Sequence, residues 1–159
     1  MKRNALVLIA NGTEEMECVI VCDVLRRGGI KVTLAGVDGP DACTCSRNVV
    51  IQPDCSLDSV AGDSFDLLVL PGGAAGAKRF CESKVVLELL RKRAAERKFV
   101  ACLCAAPTAL AAAGVFRNSK LTSHPSVAAD LALHTENYSE ERVVVDDCLI
   151  TSRGPVEID

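Results

Sequence analysis

Short apolar runs, each followed by a turn and a helical pattern, constrain this fold more than any other feature of the sequence. Residues 5–10 read Ala-Leu-Val-Leu-Ile-Ala, and residues 65–70 and 99–103 are further runs of mainly apolar residues. A strand that is apolar on both sides is typical of a parallel sheet buried between two layers. Strands that alternate with helices predict an α/β fold, in which a parallel sheet carries helices on both faces.

The order of elements extends this prediction along the whole chain. Met16, Val19, Ile20 and Val24 mark the apolar face of a first helix that stops at Gly28-Gly29. The predicted strands cover 5–10, 30–35, 49–51, 65–70, 99–103, 142–145 and 148–151, and the later helices cover 83–97 and 105–113. Ligands of such sheets bind outside the carboxyl ends of the strands. The loops 11–17, 70–77 and 103–107 are therefore the candidates for a site.

Length, charge and composition limit the function classes. The 159 residues predict one domain over 1–159, and a net charge of −3 with only five aromatic residues argues against a nucleic-acid or membrane-surface binder. No segment reaches membrane-spanning length, and the N-terminus lacks the features of a signal peptide. The nine cysteines are irregularly spaced. We therefore expect a cytoplasmic protein with reduced thiols.

Cys104 stands at a corner between a predicted strand and a predicted helix. A nucleophile on such a turn is exposed above the sheet, beside free backbone N–H groups. A helix N-terminus lowers a thiol pKa by about one unit at most, so a dominant thiolate needs a second partner. A small buried thiol at the end of a strand is the alternative explanation for Cys104.

Glu17 and the Gly72-Gly73 turn are the groups that could assist Cys104. Glu17 lies on the apolar side of the first helix, and a buried glutamate with a raised pKa could donate a proton to a thiolate. An ordinary glutamate at the edge of an amphipathic helix is the alternative. The N–H of Gly73 paired with that of Ala105 could form an oxyanion hole, and a simple tight turn is the alternative there.

Two other classes of site are weakly supported. The glycines of 72–78 match neither a dinucleotide fingerprint nor a P-loop. The cysteine pairs 43/45 and 102/104 lack the further ligands of a tetrahedral metal site. We therefore expect neither a cofactor nor a metal.

Five motifs, in order along the chain, resemble the parkinsonism-associated deglycase branch of the DJ-1/PfpI family. They are Glu14-Glu15-Met16-Glu17, Leu70-Pro71-Gly72-Gly73, the Cys104–Leu110 segment, Thr122-Ser123-His124-Pro125 and Thr151-Ser152-Arg153-Gly154-Pro155. The resemblance implies a cofactor-free, flavodoxin-like three-layer homodimer. It implies Cys104 as nucleophile, Glu17 as protonated partner and His124 beside them, with Gly72, Gly73 and Ala105 at the oxyanion and substrate site.

Some residues have an alternative explanation, and others depart from the family pattern. His124 precedes a proline and could merely cap local structure, while His134 matches no motif and is expected at the surface. Ala74 replaces a polar residue after the double glycine. The sequence after Pro155 reads Val-Glu-Ile-Asp instead of continuing into the family's helical stretch. From this we expect a domain without the family's C-terminal helices, lower stability and an open apolar patch.

Two function hypotheses of different classes follow from the resemblance. The first is a cysteine-dependent glyoxalase and protein deglycase that acts on methylglyoxal, glyoxal and early glycation adducts of amines. The second is a non-enzymatic redox sensor or chaperone whose Cys104 is oxidised to a sulfinate. The resemblance also extends the expected location to the nucleus or mitochondria. Neither hypothesis involves a membrane or sequence-specific nucleic-acid binding.

Overall fold

A computed structural model describes residues 2–155, in which strands and helices alternate as the sequence predicts. The strands are β1 (Asn4–Ile9), β2 (Lys31–Gly36), β3 (Cys43–Thr44), β4 (Val50–Ile51), β5 (Cys55–Ser56), β6 (Leu67–Leu70), β7 (Phe99–Leu103), β8 (Val143–Asp146) and β9 (Leu149–Ser152). The helices are α1 (Glu15–Arg27), α2 (Leu57–Val60), α3 (Ala74–Glu82), α4 (Lys84–Ala95), α5 (Thr108–Ala113) and α6 (Ala128–His134). Residues 156–159, which carry the departure from the family pattern, lie outside this description.

Seven of these strands form one sheet in the order β5-β2-β1-β6-β7-β9-β8. Neighbouring strands are parallel except for β8, which runs antiparallel to β9 at one edge. The two-residue strands β3 and β4 form a separate antiparallel pair. The predicted α/β fold, a flavodoxin-like sheet, is confirmed.

The sheet has a core on each face because its central strands are apolar on both sides. Alternate residues of β1 point to opposite cores: Leu6 and Leu8 pack with Phe80 and Leu110 of the helices on one face. Val7 packs toward α1 on the other face. No helix in the described part of the chain is long and apolar enough to cross a membrane.

The apolar stripe of the first helix lies at the surface of the described structure. The stripe of Met16, Val19, Ile20 and Val24 is 41–60 % exposed, so it faces away from the sheet. Residues Glu17 and Cys18, with Cys22 one turn later, are buried against the sheet instead. Periodicity identifies an apolar stripe but does not say whether the stripe faces the core or a surface.

Three expectations need correction. Helix α3 was expected to be a loop, because its Ala- and Gly-rich start has no apolar periodicity, and α6 was not predicted. The helix after Cys104 begins at Thr108 instead of Ala105. His134 is buried rather than at the surface, and its Nε2 lies 2.7 Å from the Val115 carbonyl oxygen.

An apolar groove lies between α1 and the β8–β9 edge. Its volume is about 280 Å³, and its lining includes Met16, Ile20, Leu103, Val143 and Pro155. Val143 is 57 % exposed. Within residues 2–155, this groove continues the exposed stripe of α1.

Candidate active site

The carboxyl ends of β1, β6, β7 and β9 bring four loops together at one edge of the sheet. The N–H of Glu14, at the start of α1, donates to the Gly72 carbonyl after β6 at 2.9 Å. The Cys104 N–H, after β7, donates to the Ser152 carbonyl at the end of β9 at 2.8 Å. Adjacent parallel strands therefore place the predicted site residues side by side, as expected for this class of sheet.

Cys104 occupies a strained corner. Its φ is +59°, in the left-handed region that a non-glycine residue rarely adopts. Its N–H is held by Ser152, and its carbonyl accepts the His124 N–H at 2.8 Å. Such strain costs about 1–3 kcal/mol and persists only where the surrounding structure fixes the backbone. The corner places the half-buried thiol at the wall of a cleft.

Glu17 reaches the same point from the first turn of α1. It is only 4 % exposed, and its Oε2 accepts a hydrogen bond from the Gly72 N–H at 2.5 Å. Its other oxygen, Oε1, is buried without an N–H or O–H donor. Burial raises the pKa of Glu17 to about 7. A buried oxygen that has no N–H or O–H donor is a natural position for a proton, so the protonated carboxyl can donate from Oε1.

Two backbone amides and the carboxyl act on the Cys104 sulfur. Burial, followed by the negative charge of ionised Glu17, raises the pKa of Cys104 to about 12, while the N–H groups of Gly73 and Ala105 lower it. If both Glu17 and Cys104 were ionised, two negative charges would lie side by side in a buried site. The pair therefore loses one proton at about pH 7 and keeps the other. Below about pH 7 the carboxyl is protonated, and it can then donate a hydrogen bond to the sulfur instead of repelling it as a charge.

Gly72 and Gly73 have different roles at this site. The N–H of Gly72 is engaged by Glu17, so Gly72 positions the carboxyl and is not free for substrate, contrary to the role first assigned to it. Gly73 lines the cleft, with its N–H directed to the sulfur, as Ala105 does. A methyl group at Gly72 would lie 2.5 Å from the Cys104 Cβ, which explains why no side chain fits there.

Gly154 is a site residue that sequence reasoning did not single out. A Cβ at this position would lie 2.8 Å from Glu17 Oε1 and 3.1 Å from Cys104 Sγ, so the Gly154 backbone packs against both groups. Its φ of +92° also favours glycine. The sequence showed Gly154 as a glycine after a predicted strand, but the residues that it contacts, Glu17 and Cys104, lie far away in the sequence.

His124 lies at the cleft and also caps local structure. Its Nδ1 accepts the Ser126 N–H at 3.0 Å at the start of a short 3-10 helix, Pro125–Val127. Since that backbone group is always a donor, neutral His124 carries its proton on Nε2. The capping role first considered as an alternative is therefore real, and it leaves Nε2–H as the group that can face a ligand.

Further hydrogen bonds hold the loop that precedes His124. The Ser123 carbonyl accepts from Arg153 Nε at 3.0 Å and from the Tyr138 hydroxyl at 3.3 Å. The Ser123 hydroxyl lies 2.9 Å from the same Tyr138 oxygen. These bonds tie the His124 loop to the loop that carries Gly154.

The cleft in front of Cys104 is wide, with a volume of about 810 Å³. Ala74 and Ala75 line one part of it, and Ser46 and Arg47 line another. The substitution of alanine for a polar residue at position 74 therefore lies directly at the cleft. No group of three or more His, Cys, Asp or Glu side chains within residues 2–155 is arranged to hold a metal ion.

Comparison with known proteins identifies the family of this chain. The model of the DJ-1/PfpI family matches residues 3–159. The chain belongs to the DJ-1/PfpI family. Protein dj-1beta of Drosophila melanogaster is 50 % identical over 155 residues, which cover 98 % of this chain and 83 % of that protein. The crystal structure of Drosophila melanogaster DJ-1beta gives a TM-score of 0.95, with 98 % of this chain and 84 % of that chain covered.

A more distant relative carries a functional name. The glutathione-independent glyoxalase DJR-1.2 of Caenorhabditis elegans is 33 % identical over 155 residues, covering 97 % of this chain and 82 % of that protein. The DJ-1/PfpI family therefore includes proteins named as glyoxalases, which supports an enzymatic role in general. In this family member, the geometry assembles a thiol, a carboxyl with a raised pKa and two amide donors at one point.

The raised pKa of Glu17 predicts a pH-dependent stability. The folded value is about 7 and the ordinary value is 4.5, so between them the folded state binds more protons than the unfolded state. The free energy of unfolding of the wild type should therefore fall by about 3 kcal/mol, relative to Glu17→Gln, as pH rises through this range. Denaturant unfolding at several pH values measures it, with Glu88→Gln, at an exposed glutamate of α4, as control. Parallel pH profiles for wild type and Glu17→Gln would contradict the burial of an ionisable carboxyl.

Proposed function

We propose that this protein is a cofactor-independent glyoxalase that converts methylglyoxal or glyoxal to the corresponding hydroxy acid. The observation that carries the proposal is the buried Glu17 carboxyl beside the Cys104 sulfur, with the Gly73 and Ala105 amides on the same atom. A thiolate can add to an aldehyde carbon, and a carboxyl with a pKa near neutrality can both give and accept a proton.

In the first step, the Cys104 sulfur attacks the aldehyde carbon. The thiol proton passes to the Glu17 carboxylate as the C–S bond forms and the carbonyl π electrons move to oxygen. That oxygen then takes the proton from Glu17 to give a hemithioacetal. The Gly73 and Ala105 N–H groups, which point at the sulfur in the free protein, lie beside the developing oxyanion.

In the second step, Glu17 is ionised and can accept the proton on the former aldehyde carbon. The electron pair moves through an enediol, and a proton returns to the neighbouring carbon, which leaves a thioester on Cys104. Water then adds to the thioester, and the C–S bond breaks to release the hydroxy acid and the thiol. Neutral His124 offers Nε2–H as a hydrogen-bond donor to the second carbonyl oxygen.

The width of the cleft supports a larger substrate as well. A volume of about 810 Å³ far exceeds what a three-carbon aldehyde needs. Early glycation adducts of amines present the same carbon skeleton attached to a larger group, so we propose protein deglycase activity through the same residues. The free thiols of the described residues fit a reducing compartment such as the cytoplasm.

A redox-sensor function is the second candidate. The Gly73 and Ala105 N–H groups directed at Cys104, together with a protonated Glu17, would donate to the oxygens of a sulfinate. In that case the protein would protect against oxidative stress, or act as a chaperone, without turning over a dicarbonyl. Both functions use one thiol, so turnover is the property that separates them.

Turnover of methylglyoxal tests the enzymatic proposal. Cys104→Ala should abolish hydroxy-acid formation, and Glu17→Gln should lower kcat by at least about tenfold, equivalent to about 1.4 kcal/mol in the barrier, because an amide cannot exchange a proton. Cys55→Ala, at a half-buried thiol outside the cleft, is the matched control and should keep wild-type turnover. An active Cys104→Ala variant would exclude the proposal, and unchanged turnover in Glu17→Gln would contradict the assignment of proton transfer to Glu17.

We also propose a homodimer formed through α1. The stripe of exposed apolar side chains on α1 continues into the groove beside β8. We expect Arg26, Arg27 and Arg47 near the rim of the interface. A contiguous apolar surface of this kind is typical of an interaction site. A second copy of the chain would cover it.

Light scattering at micromolar concentration measures this association. Wild type should have the mass of a dimer, and Ile20→Arg should shift it toward the monomer by placing a charge in the centre of the stripe. Leu133→Arg is the matched control, since Leu133 is 88 % exposed on α6 and lies outside the stripe. A monomeric wild type, or a monomer produced by the control alone, would contradict the proposed surface.

A further inference from the structure

One peptide group connects the loop before His124 to the strained corner at Cys104. At one end of this group, the His124 N–H donates to the Cys104 carbonyl at 2.8 Å. At the other end, the Ser123 carbonyl accepts from Arg153 Nε at 3.0 Å and from the Tyr138 hydroxyl at 3.3 Å. Hydrogen bonds that are linked in a chain polarise and strengthen one another. Arg153 therefore acts on the peptide group that holds the backbone of the proposed nucleophile.

Two further bonds fix Arg153 itself. Its Nη1 donates to the Glu140 carbonyl at 3.1 Å, and its backbone N–H donates to the Arg142 carbonyl at 3.1 Å. A guanidinium presents its N–H groups in a rigid planar fork, so bonds to two carbonyls set the direction of the side chain. The segment before β8 thus anchors Arg153, and Nε stays directed at the Ser123 carbonyl.

The residue that follows Arg153 contacts the reacting groups. A Cβ at Gly154 would lie 2.7 Å from the Cys104 Cβ, 2.8 Å from Glu17 Oε1 and 3.1 Å from Cys104 Sγ, so the Gly154 backbone packs against both side chains. Arg153 is therefore connected to the Cys104 corner in two ways. Its side chain acts through the peptide group before His124, and its backbone leads directly into Gly154.

We propose that Arg153 is a positioning residue for Cys104 in the proposed reaction. Its guanidinium holds the Ser123–His124 peptide in the orientation that fixes the Cys104 backbone at a φ of +59°. A left-handed backbone at a non-glycine residue persists only where surrounding contacts hold it, so losing one of these contacts favours relaxation. The catalytic consequence rests on the proposed function, whereas the effect on the thiol does not.

Relaxation of the corner would change the chemistry of the sulfur through two amides. The N–H groups of Gly73 and Ala105 lower the pKa of Cys104 against the larger effect of burial. They act only on a sulfur held at a fixed position, because hydrogen bonds weaken steeply with distance and angle. Loss of the Arg153 contacts should therefore slow reactions that start from the Cys104 sulfur. Arg153 lines the apolar groove beside α1 and not the cleft, so substrate binding should change little.

Alkylation of Cys104 by iodoacetamide tests this role without relying on turnover. Labelling of the Cys104 peptide is followed by mass spectrometry at one fixed pH, below the temperature at which any variant begins to unfold by circular dichroism. Arg153→Met keeps a long apolar side chain but donates no hydrogen bond, and it should slow labelling at least about fivefold. Arg97→Met is the matched control; it removes an exposed guanidinium from Asp147 and should label at the wild-type rate.

Arg153→Lys separates position from charge, and it keeps the test decisive if Arg153→Met does not fold. A lysine retains the positive charge, but its ammonium lacks the planar fork that reaches two carbonyls. Labelling in Arg153→Lys should therefore also be slower than in wild type, by at least about twofold. A wild-type labelling rate in folded Arg153→Met or in Arg153→Lys would overturn the proposal, as would equal slowing in Arg97→Met.

Methylglyoxal turnover connects the positioning role to the proposed function. In Arg153→Lys, kcat should fall in parallel with the labelling rate, while KM changes by less than about twofold. A raised KM with an unchanged kcat would contradict a positioning role at the thiol. If the wild type turned over no methylglyoxal but the Arg153 variants still labelled slowly, the glyoxalase proposal would be rejected and the positioning role would stand. The two proposals therefore fail independently.

Discussion

The burial of one carboxyl, that of Glu17, is the constraint on which the rest of the site depends. An ionised carboxylate at 4 % exposure with a single amide donor is costly, and its pKa of about 7 reflects that cost. The same cost makes the protonated form available at neutral pH beside the Cys104 sulfur. One desolvated group thereby provides a proton for chemistry next to the sulfur.

Close backbone approach at glycines makes that burial possible. Gly72 supplies the one hydrogen bond to the carboxyl, and Gly154 closes the opposite side, where a methyl group would overlap both Glu17 and Cys104. The strained backbone of Cys104 is tolerated because Ser152 and His124 hold its N–H and carbonyl. Neighbouring parallel strands supply all these loops, so the sheet order is what brings them together.

The sequence predicted the sheet and the corner at Cys104 because both depend on local patterns. Apolar runs of strand length, interrupted by helices, leave few arrangements other than a parallel sheet. The inward direction of Glu17 did not follow from spacing alone; the family resemblance supplied it. The spacing identified the apolar stripe of α1 but not the side that the helix buries, which carries Cys18 and Cys22, two residues that look unremarkable in a hydrophobic pattern.

Other features depended on tertiary contacts that no local pattern contains. Helix α3 consists of small residues and a few polar ones, and it is stabilised by packing of Phe80 into the core. His134 looks like a surface residue until its Nε2 meets the Val115 carbonyl. Gly154 acquires its role only when the end of β9 lies beside β7. Long-range packing, more than propensity, decided each of these cases.

The protonation state of Glu17 in the resting protein is the most direct test of this account. Difference infrared spectroscopy between wild type and Glu17→Gln, at about neutral pH, reports a protonated carboxyl, while ultraviolet absorbance compared with Cys104→Ser reports the thiolate. The account predicts a protonated Glu17 carboxyl in part of the wild type, in a fraction that falls as the pH rises through about 7, while Cys104 keeps its proton at that pH because its pKa is raised to about 12. A Glu17 carboxyl that is fully ionised well below pH 7, with no protonated carboxyl band in the wild type, would contradict it.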